Sequence, residues 1–436
     1  MKKEAIFPES LPLPRVAYSP AIKAGPFVFV SGQVASDFKT GVPPEASINP
    51  NFPHHGTNIE RQAGYIVNNL RTTLEAAGSS LEQSISFTLY HTDVHELHGA
   101  SQILQQAFGS TGVPPHTSVI VDELPVPSCT LEVDMVSFVS ETGQRPEIIQ
   151  AASLPQPVIQ GLNGQPLYQY GVKAGEFIFT AGITATDFSA GVAPQAQVDP
   201  NFIYYAESAR LQTEYILEAQ QAVLQAAGAS LADVVKAEIY MTDVQDFYRL
   251  EQVWKKYFPT NPPARTTVPV SDLGVPGLRI AVNLIAYVPQ DGPAKRTIKT
   301  DAAPTPLAHE PQAIQAGPFL FFSGQMATDY RTGVPAEARI DPNFPYYSSP
   351  AEKEVNYIVK NIDAICEAAG TTRDYLLRRR GFYADFGEFF TSFVTWAESF
   401  PTDPPASTTV RIPGPLPVPG CKVVIDLLGM IPDESA

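Results

Sequence analysis

The chain contains one segment three times. AGPFVFVSGQVASDFKTGVPPEASINPNF begins at Ala24, AGEFIFTAGITATDFSAGVAPQAQVDPNF at Ala174 and AGPFLFFSGQMATDYRTGVPAEARIDPNF at Ala316. Gly25, Gly175 and Gly317 correspond, which sets offsets of 150 and 142 residues. The Ala-Ala-Gly triplets ending in Gly78, Gly228 and Gly370 keep the same offsets, so no insertion lies between these anchors. Solenoid repeats run to about 20–50 residues. Each copy here is therefore a domain, and 436 residues suit three domains of roughly 150 residues. The expected domains are 1–143, 144–292 and 293–436.

Each copy carries the same pattern. Phe27-Val28-Phe29-Val30 is a short apolar run between turn signals and reads as a strand. A second strand is expected over 33–38, before the Thr40-Gly41 turn. Ile66, Leu70, Leu74 and Ala77 line one face of a helix, with Gly78 as its left-handed cap. A strand is expected over 86–90, a helix over 96–108, and strands over 117–121 and 130–138. The order β-β-α-β-α-β-β gives an α+β domain with helices on one face of a sheet. The Pro-rich joints at 141–166 and 289–311 read as semi-stiff linkers. Three similar domains meeting head to tail can close a ring, so a monomeric pseudo-trimer is expected.

Composition excludes several functions. Lys+Arg 29 against Asp+Glu 45 gives a net charge of −16, which repels phosphate backbones and argues against nucleic-acid binding. No window approaches 18 apolar residues, so no membrane span is expected. The lysines at 2 and 3 precede no apolar stretch of the secretory kind. Cys129, Cys366 and Cys421 cannot form a disulfide framework and read as reduced thiols, which points to the cytoplasm. Proline, at 42 of 436 residues, is about twice the usual share and argues for many short elements joined by rigid turns.

Ser31-Gly32-Gln33, Thr40-Gly41, Glu75-Ala76-Ala77-Gly78 and NPPARTTVPVSDL from Asn261 resemble the RidA family, the reactive enamine/imine deaminases also called YjgF or L-PSP. The resemblance recurs once per copy. It implies a chorismate-mutase-like fold, with the sheets around a central β-barrel and ligand clefts between neighbouring domains. It also implies a metal-free hydrolytic deaminase that needs no cofactor and acts on a small carboxylate. Substrates of this class include enamines, imines and aminomuconate-like unsaturated amino acids.

The family's marker is an arginine after Pro-Ala. Its planar fork grips a carboxylate in a way lysine cannot. Only the second copy keeps it, as Arg265 before Thr266 and Thr267; His116 and Ser407 replace it elsewhere. The alternative for Arg265 is a solvated strand-end arginine. The family's tyrosine corresponds to Tyr18 and Tyr168, but to Glu310 in the third copy. Its last-strand glutamate corresponds to Glu132, with Ala281 and Val424 in the other copies. Its helix asparagine corresponds to Ser101, Glu251 and Phe393. Ser31-Gly32 and Ser323-Gly324 keep the substrate-side pair, whereas the second copy has Ala181-Gly182. The resemblance thus implies catalytic roles among Arg265, Glu251, Tyr168, Glu132 and Tyr18. It implies substrate contacts from Arg265, Thr267, His116, Ser31, Gly32, Gly182, Ser323 and Gly324. No copy has the full set, so one working cleft centred on Arg265 is expected.

Three other features draw attention. The Asn51-Phe52-Pro53, Asn201-Phe202 and Asn343-Phe344-Pro345 loops roof the clefts or pack neighbouring copies together. His91, His95 and His98 have a spacing that a metal could use, but the other copies lack them, and solvated histidines are expected. Arg378-Arg379-Arg380 reads as a surface charge cluster. Alternatives to deamination are hydrolysis of a cyclic amide or another C–N bond, and non-catalytic binding of a small ligand.

Overall fold

A computed structural model describes residues 1–140, 145–159 and 164–432. The first domain boundary, at 143–144, and part of the first joint lie outside them. Each repeat is a mixed sheet with two main helices on one face. In the first repeat the strand order is Lys3–Ile6, Ala21–Ala24, Phe27–Val34, Leu131–Phe138, Ser84–His91, His116–Ile120. The helices are Asn58–Ala76 and Leu97–Phe108.

The first helix starts where its chemistry dictates. The Thr57 hydroxyl accepts from the Glu60 N–H, and the Glu60 carboxylate accepts from the Thr57 N–H, a reciprocal cap. Gly78 follows at φ +76°, the left-handed geometry expected of it.

The opening strands differ from expectation. Phe27–Val34 is one strand with a register shift near its middle, rather than two strands. A further strand, Ala21–Ala24, pairs with it across the tight turn at Gly25, whose φ of +55° suits glycine. The joints are also not simple linkers. Glu147–Ile148 and Arg296–Ile298 each add an edge strand to the following repeat's sheet, as Lys3–Ile6 does in the first. These strands are too short to show a periodic pattern.

The repeats close head to tail. The Gly182 N–H donates to the His116 carbonyl at 3.1 Å, and the Gly324 N–H to that of Arg265 at 2.9 Å. The third junction uses the Gly32 N–H to Thr408 Oγ1 at 3.1 Å, and an isolated bridge between Ser19 and Ala406. The ladders thus remain three sheets joined by short bridges around a pseudo-threefold axis.

Two layers fill that axis. Phe27, Phe177 and Phe319, equivalent in the three copies, meet with ring centroids 5.5–5.7 Å apart in edge-to-face contacts. A buried polar layer also links the sheets. Arg380 donates to both Asp134 oxygens (2.7 and 2.6 Å), to Glu238 (2.6 Å) and to Thr88 (3.1 Å). Arg378 reaches Glu238 and Asp426 at 3.2 and 3.3 Å. Lys236 pairs with Asp426 and donates to Thr266 and the Phe322 carbonyl. Asn283 donates to the second Glu238 oxygen at 3.0 Å.

Three cations therefore face three carboxylates. The arginine run is not a surface cluster: Arg378, Arg379 and Arg380 are 6%, 0% and 3% exposed. Burial would raise the Glu238 carboxyl, but Arg380, Arg378 and Lys236 outweigh it and hold it at about 2.

Candidate functional site

The ring makes three clefts, each between the marker strand of one repeat and the Ser-Gly turn of the next. Arg265 lies on strand Ala264–Pro269 of the second repeat, and its side chain is fully buried rather than solvated. Its backbone N–H donates to Ser323 Oγ at 3.1 Å, which fixes it against the third repeat. The guanidinium carbon stands 5.2 Å from the Trp254 ring centre and 5.4 Å from that of Phe247. These contacts desolvate the cation and orient it.

Two carboxylates hold the same guanidinium. Nε donates to Glu310 at 2.9 Å, and Nη2 stands 2.5 Å from Glu251 Oε1, an ion pair angled poorly for a hydrogen bond. Burial raises the Glu310 carboxyl, which Arg265 lowers only in part, with Glu251 adding to the rise. Arg265 Nη1 has no hydrogen-bond partner, and neither does Thr267 Oγ1. Both residues line a cavity of about 320 Å³, walled by Phe247, Leu307, Met326, Tyr330, Val418 and Val424. An apolar pocket with a few convergent polar groups is the usual form of a small-molecule site.

The expected residues divide among the three clefts. Arg265, Glu251, Thr267, Ser323 and Gly324 meet at the second–third junction. Tyr18, Ser31, Gly32 and Glu132 lie at the third–first junction, where the Ser407 N–H donates to Ser31 Oγ and the Thr409 N–H to Glu132. His116, Tyr168 and Gly182 lie at the first–second junction. Glu132, Tyr18 and Tyr168 therefore do not join Arg265, because each family position faces its own neighbour around the ring. Glu310 replaces a tyrosine and was visible as a departure; its grip on Arg265 depends on which repeat it faces. Neither Ser-Gly serine has a free hydroxyl. Ser323 Oγ donates to the Pro311 carbonyl and Ser31 Oγ to that of Ser19, both at 2.6 Å.

The first–second cleft is filled. His116 stacks on Phe87 at 4.7 Å and meets Tyr168 edge-on at 5.2 Å. Thr117 occupies the space over Gly182. His91, behind it, is fully buried, and neither ring nitrogen has a partner. His95 and His98 are exposed, and no group of three metal-ligating side chains occurs among the described residues.

Burial depresses both buried imidazoles, to about 3 for His91, with His116 contributing, and to about 4 for His116. Unfolded histidines protonate near pH 6.5. The stability from keeping these rings neutral is present above that pH and is lost as pH falls through 6.5 toward the folded values. His91→Met, which installs the second repeat's residue, should lessen the loss of unfolding free energy between pH 6.5 and 5 by about 2 kcal/mol. Urea midpoints at the two pH values check this; an unchanged pH slope would refute it.

The aromatic loops neither roof the Arg265 cavity nor pack the repeats. Tyr204 and Tyr346 at their tips are 91% and 95% exposed. All three cysteines are buried, and burial raises their thiols to about 12. No helix among the described residues is long and apolar enough to cross a membrane.

Known proteins resemble the chain one repeat at a time. The pattern of the family described as Endoribonuclease L-PSP matches residues 9–139, 162–288 and 300–431. A RutC family protein of Pyrococcus horikoshii is 33% identical over 141 residues, covering 32% of this chain and 97% of that protein. The 3-aminoacrylate deaminase RutC of Acinetobacter baylyi is 30% identical over 142 residues, covering 33% of this chain and 98% of that protein. Reactive Intermediate Deaminase A of Arabidopsis thaliana is 31% identical over 119 residues, 27% of this chain and 57% of that protein. Among solved structures, RidA from an Antarctic Psychrobacter is 28% identical, with 33% of this chain and 99% of that chain covered and a TM-score of 0.25. With three matches spanning most of its length, the chain belongs to the Endoribonuclease L-PSP (RidA/YjgF) family and carries three of its domains in tandem.

Proposed function

We propose that the chain is a hydrolytic deaminase of a small enamine or imine carboxylate, with one working site at the Arg265 cleft. What carries the reading is the pair of unpartnered donors, Arg265 Nη1 and Thr267 Oγ1, at the wall of one cavity. A substrate carboxylate placed there accepts from both. Glu251 and Glu310 hold the guanidinium by its other edge, which leaves Nη1 to the substrate. The names of the RutC and Reactive Intermediate Deaminase A relatives support the reaction class.

In this reading Glu310, whose carboxyl burial raises, enters in its protonated form and gives its proton to the nucleophilic enamine carbon. The C=C pair forms the new C–H bond and the nitrogen becomes an iminium. Glu310 is left as a carboxylate beside that new cation, so the ion pair forms as the reaction proceeds and stabilises its transition state. Water adds to the iminium carbon, and a proton returns through Glu310 to nitrogen. Collapse of the N-protonated carbinolamine passes its hydroxyl proton back to Glu310, releases ammonia and leaves the carbonyl. The apolar wall of Phe247, Met326 and Val424 limits competing bulk water.

The test is ammonia release from an enamine such as 2-aminoacrylate, generated in place. The intact chain should accelerate it, and Glu310→Gln, which keeps a hydrogen bond but not the transferable proton, should lower kcat about 10²-fold. No acceleration over the spontaneous rate would end the proposal.

A further inference from the structure

The third–first cleft has lost the marker arginine but not a guanidinium. Arg379 pairs in register with Ser407, where Ala237 pairs with Arg265 and Phe87 with His116. The cation has crossed to the neighbouring strand. Its guanidinium carbon stands 5.1 Å from the Trp396 ring, as that of Arg265 stands 5.2 Å from Trp254. Gly381 makes the room: a Cβ there would lie 2.6 Å from Arg379 Nη2, and the other repeats carry Leu89 and Ile239.

The two arginines differ in their counter-charge. Phe393 stands where Glu251 stands, and Tyr18 where Glu310 stands. Arg379 Nη1 donates to Ser407 and Thr409 hydroxyls at 3.2 Å, and Nη2 to the Tyr383 hydroxyl at 2.7 Å. Nε has no partner. Among the described residues no carboxylate lies within ion-pair distance of this fully buried cation. An isolated buried charge is strongly unfavourable unless a counter-ion neutralises it.

A second group at the same junction also lacks a partner. Glu132 is 3% exposed and its carboxyl lies over Gly32. Its Oε1 accepts from the Thr409 N–H at 3.4 Å, and its Oε2 has no partner. Burial pushes this carboxyl well up. Thr409 stands between the two groups.

We propose that the third–first cleft binds a small monovalent anion, of chloride or formate size, at the Arg379 guanidinium. One uncompensated guanidinium calls for one negative charge, and its full burial admits only a small ion. The site is independent of whatever the Arg265 cleft turns over.

The test uses the intact chain in potassium gluconate, with chloride or formate replacing gluconate at constant ionic strength. Tm should rise by about 2–4 °C and saturate, and Arg379→Met should remove the rise. A rise with chloride alone identifies a halide site, and one with formate alone a carboxylate site. Bromide-soaked crystals of the unaltered chain should show an anomalous peak beside Arg379, which keeps the test decisive if the variant does not fold. Indifference of Tm to both anions, an equal rise in Arg379→Met, or, where chloride raises Tm, bromide absent from Arg379 would each overturn the proposal.

Discussion

Arg265→Lys is expected to lower kcat/KM for ammonia release about 10³-fold while the chain stays folded. The guanidinium serves three partners in one plane: Glu310 through Nε, Glu251 through Nη2, and the cavity through Nη1. A lysine ammonium is a compact point charge with three donors in a tetrahedral array. It can satisfy one glutamate or the substrate, but not all at once. Losing the Nε hydrogen bond to Glu310 and the Nη1 bond to the substrate carboxylate, at roughly 1.5–3 kcal/mol each, removes about 4 kcal/mol, or about 10³ in rate. The positive charge remains, so the packing against Trp254 and Phe247 need not collapse. Ammonia release measured beside a far-ultraviolet melting curve reads the two effects separately. Activity within threefold of the parent would mean that Arg265 does not anchor the substrate.

Arg380→Met should lower the unfolding free energy by about 3–5 kcal/mol. Arg380 is the only cation within ion-pair distance of Asp134 among the described residues. Its loss leaves a buried carboxylate 1% exposed, with only a 3.5 Å contact to the Tyr90 hydroxyl. Adding Asp134→Asn should recover most of the loss. The layer then holds Lys236 and Arg378 against Glu238 and Asp426, and asparagine already stands at the equivalent position as Asn283. Denaturant midpoints of the single and double variants check this. A double variant no more stable than the single one would show that charge balance is not what the layer requires.

The same layer accounts for the tandem arrangement. Thr88, Glu238 and Arg380 are equivalent positions, as are Ser86, Lys236 and Arg378. A homotrimer would place three copies of one residue at each level. Three third repeats would bring six arginines against three aspartates onto the axis. Fusion allows each level to hold different residues and still balance.

Legibility in the sequence followed the range of the interactions. The helices of each repeat rest on local signals, such as the Thr57–Glu60 cap and the glycine at 78. The Ala21–Ala24 strand was missed because four residues carry too little pattern, and its pairing depends on the turn at Gly25. The marker at Arg265 was legible as a motif. The residues that govern its charge were not: Glu310 lies 45 positions away, in another repeat, and reads in isolation only as a missing tyrosine. Arg379 and its neighbours read from the sequence as a surface cluster, and the structure buries them. Adjacent strand residues alternate faces, and here one face packs on the helices while the other lines the axis, so all three arginines are buried.

The sequence by itself determined that three homologous α+β domains share the chain, that one marker arginine survives, and that the net charge is −16. Those conclusions rest on repeats, local periodicity and summed charge, none of which needs coordinates. Only the tertiary structure decided which repeat faces which. That order brings Glu251 and Glu310 to Arg265, leaves Arg379 without a carboxylate, and balances three cations against three anions on the axis. Coulombic and desolvation energies depend on separations and burial across domain junctions, and residues hundreds of positions apart acquire those only when the ring closes.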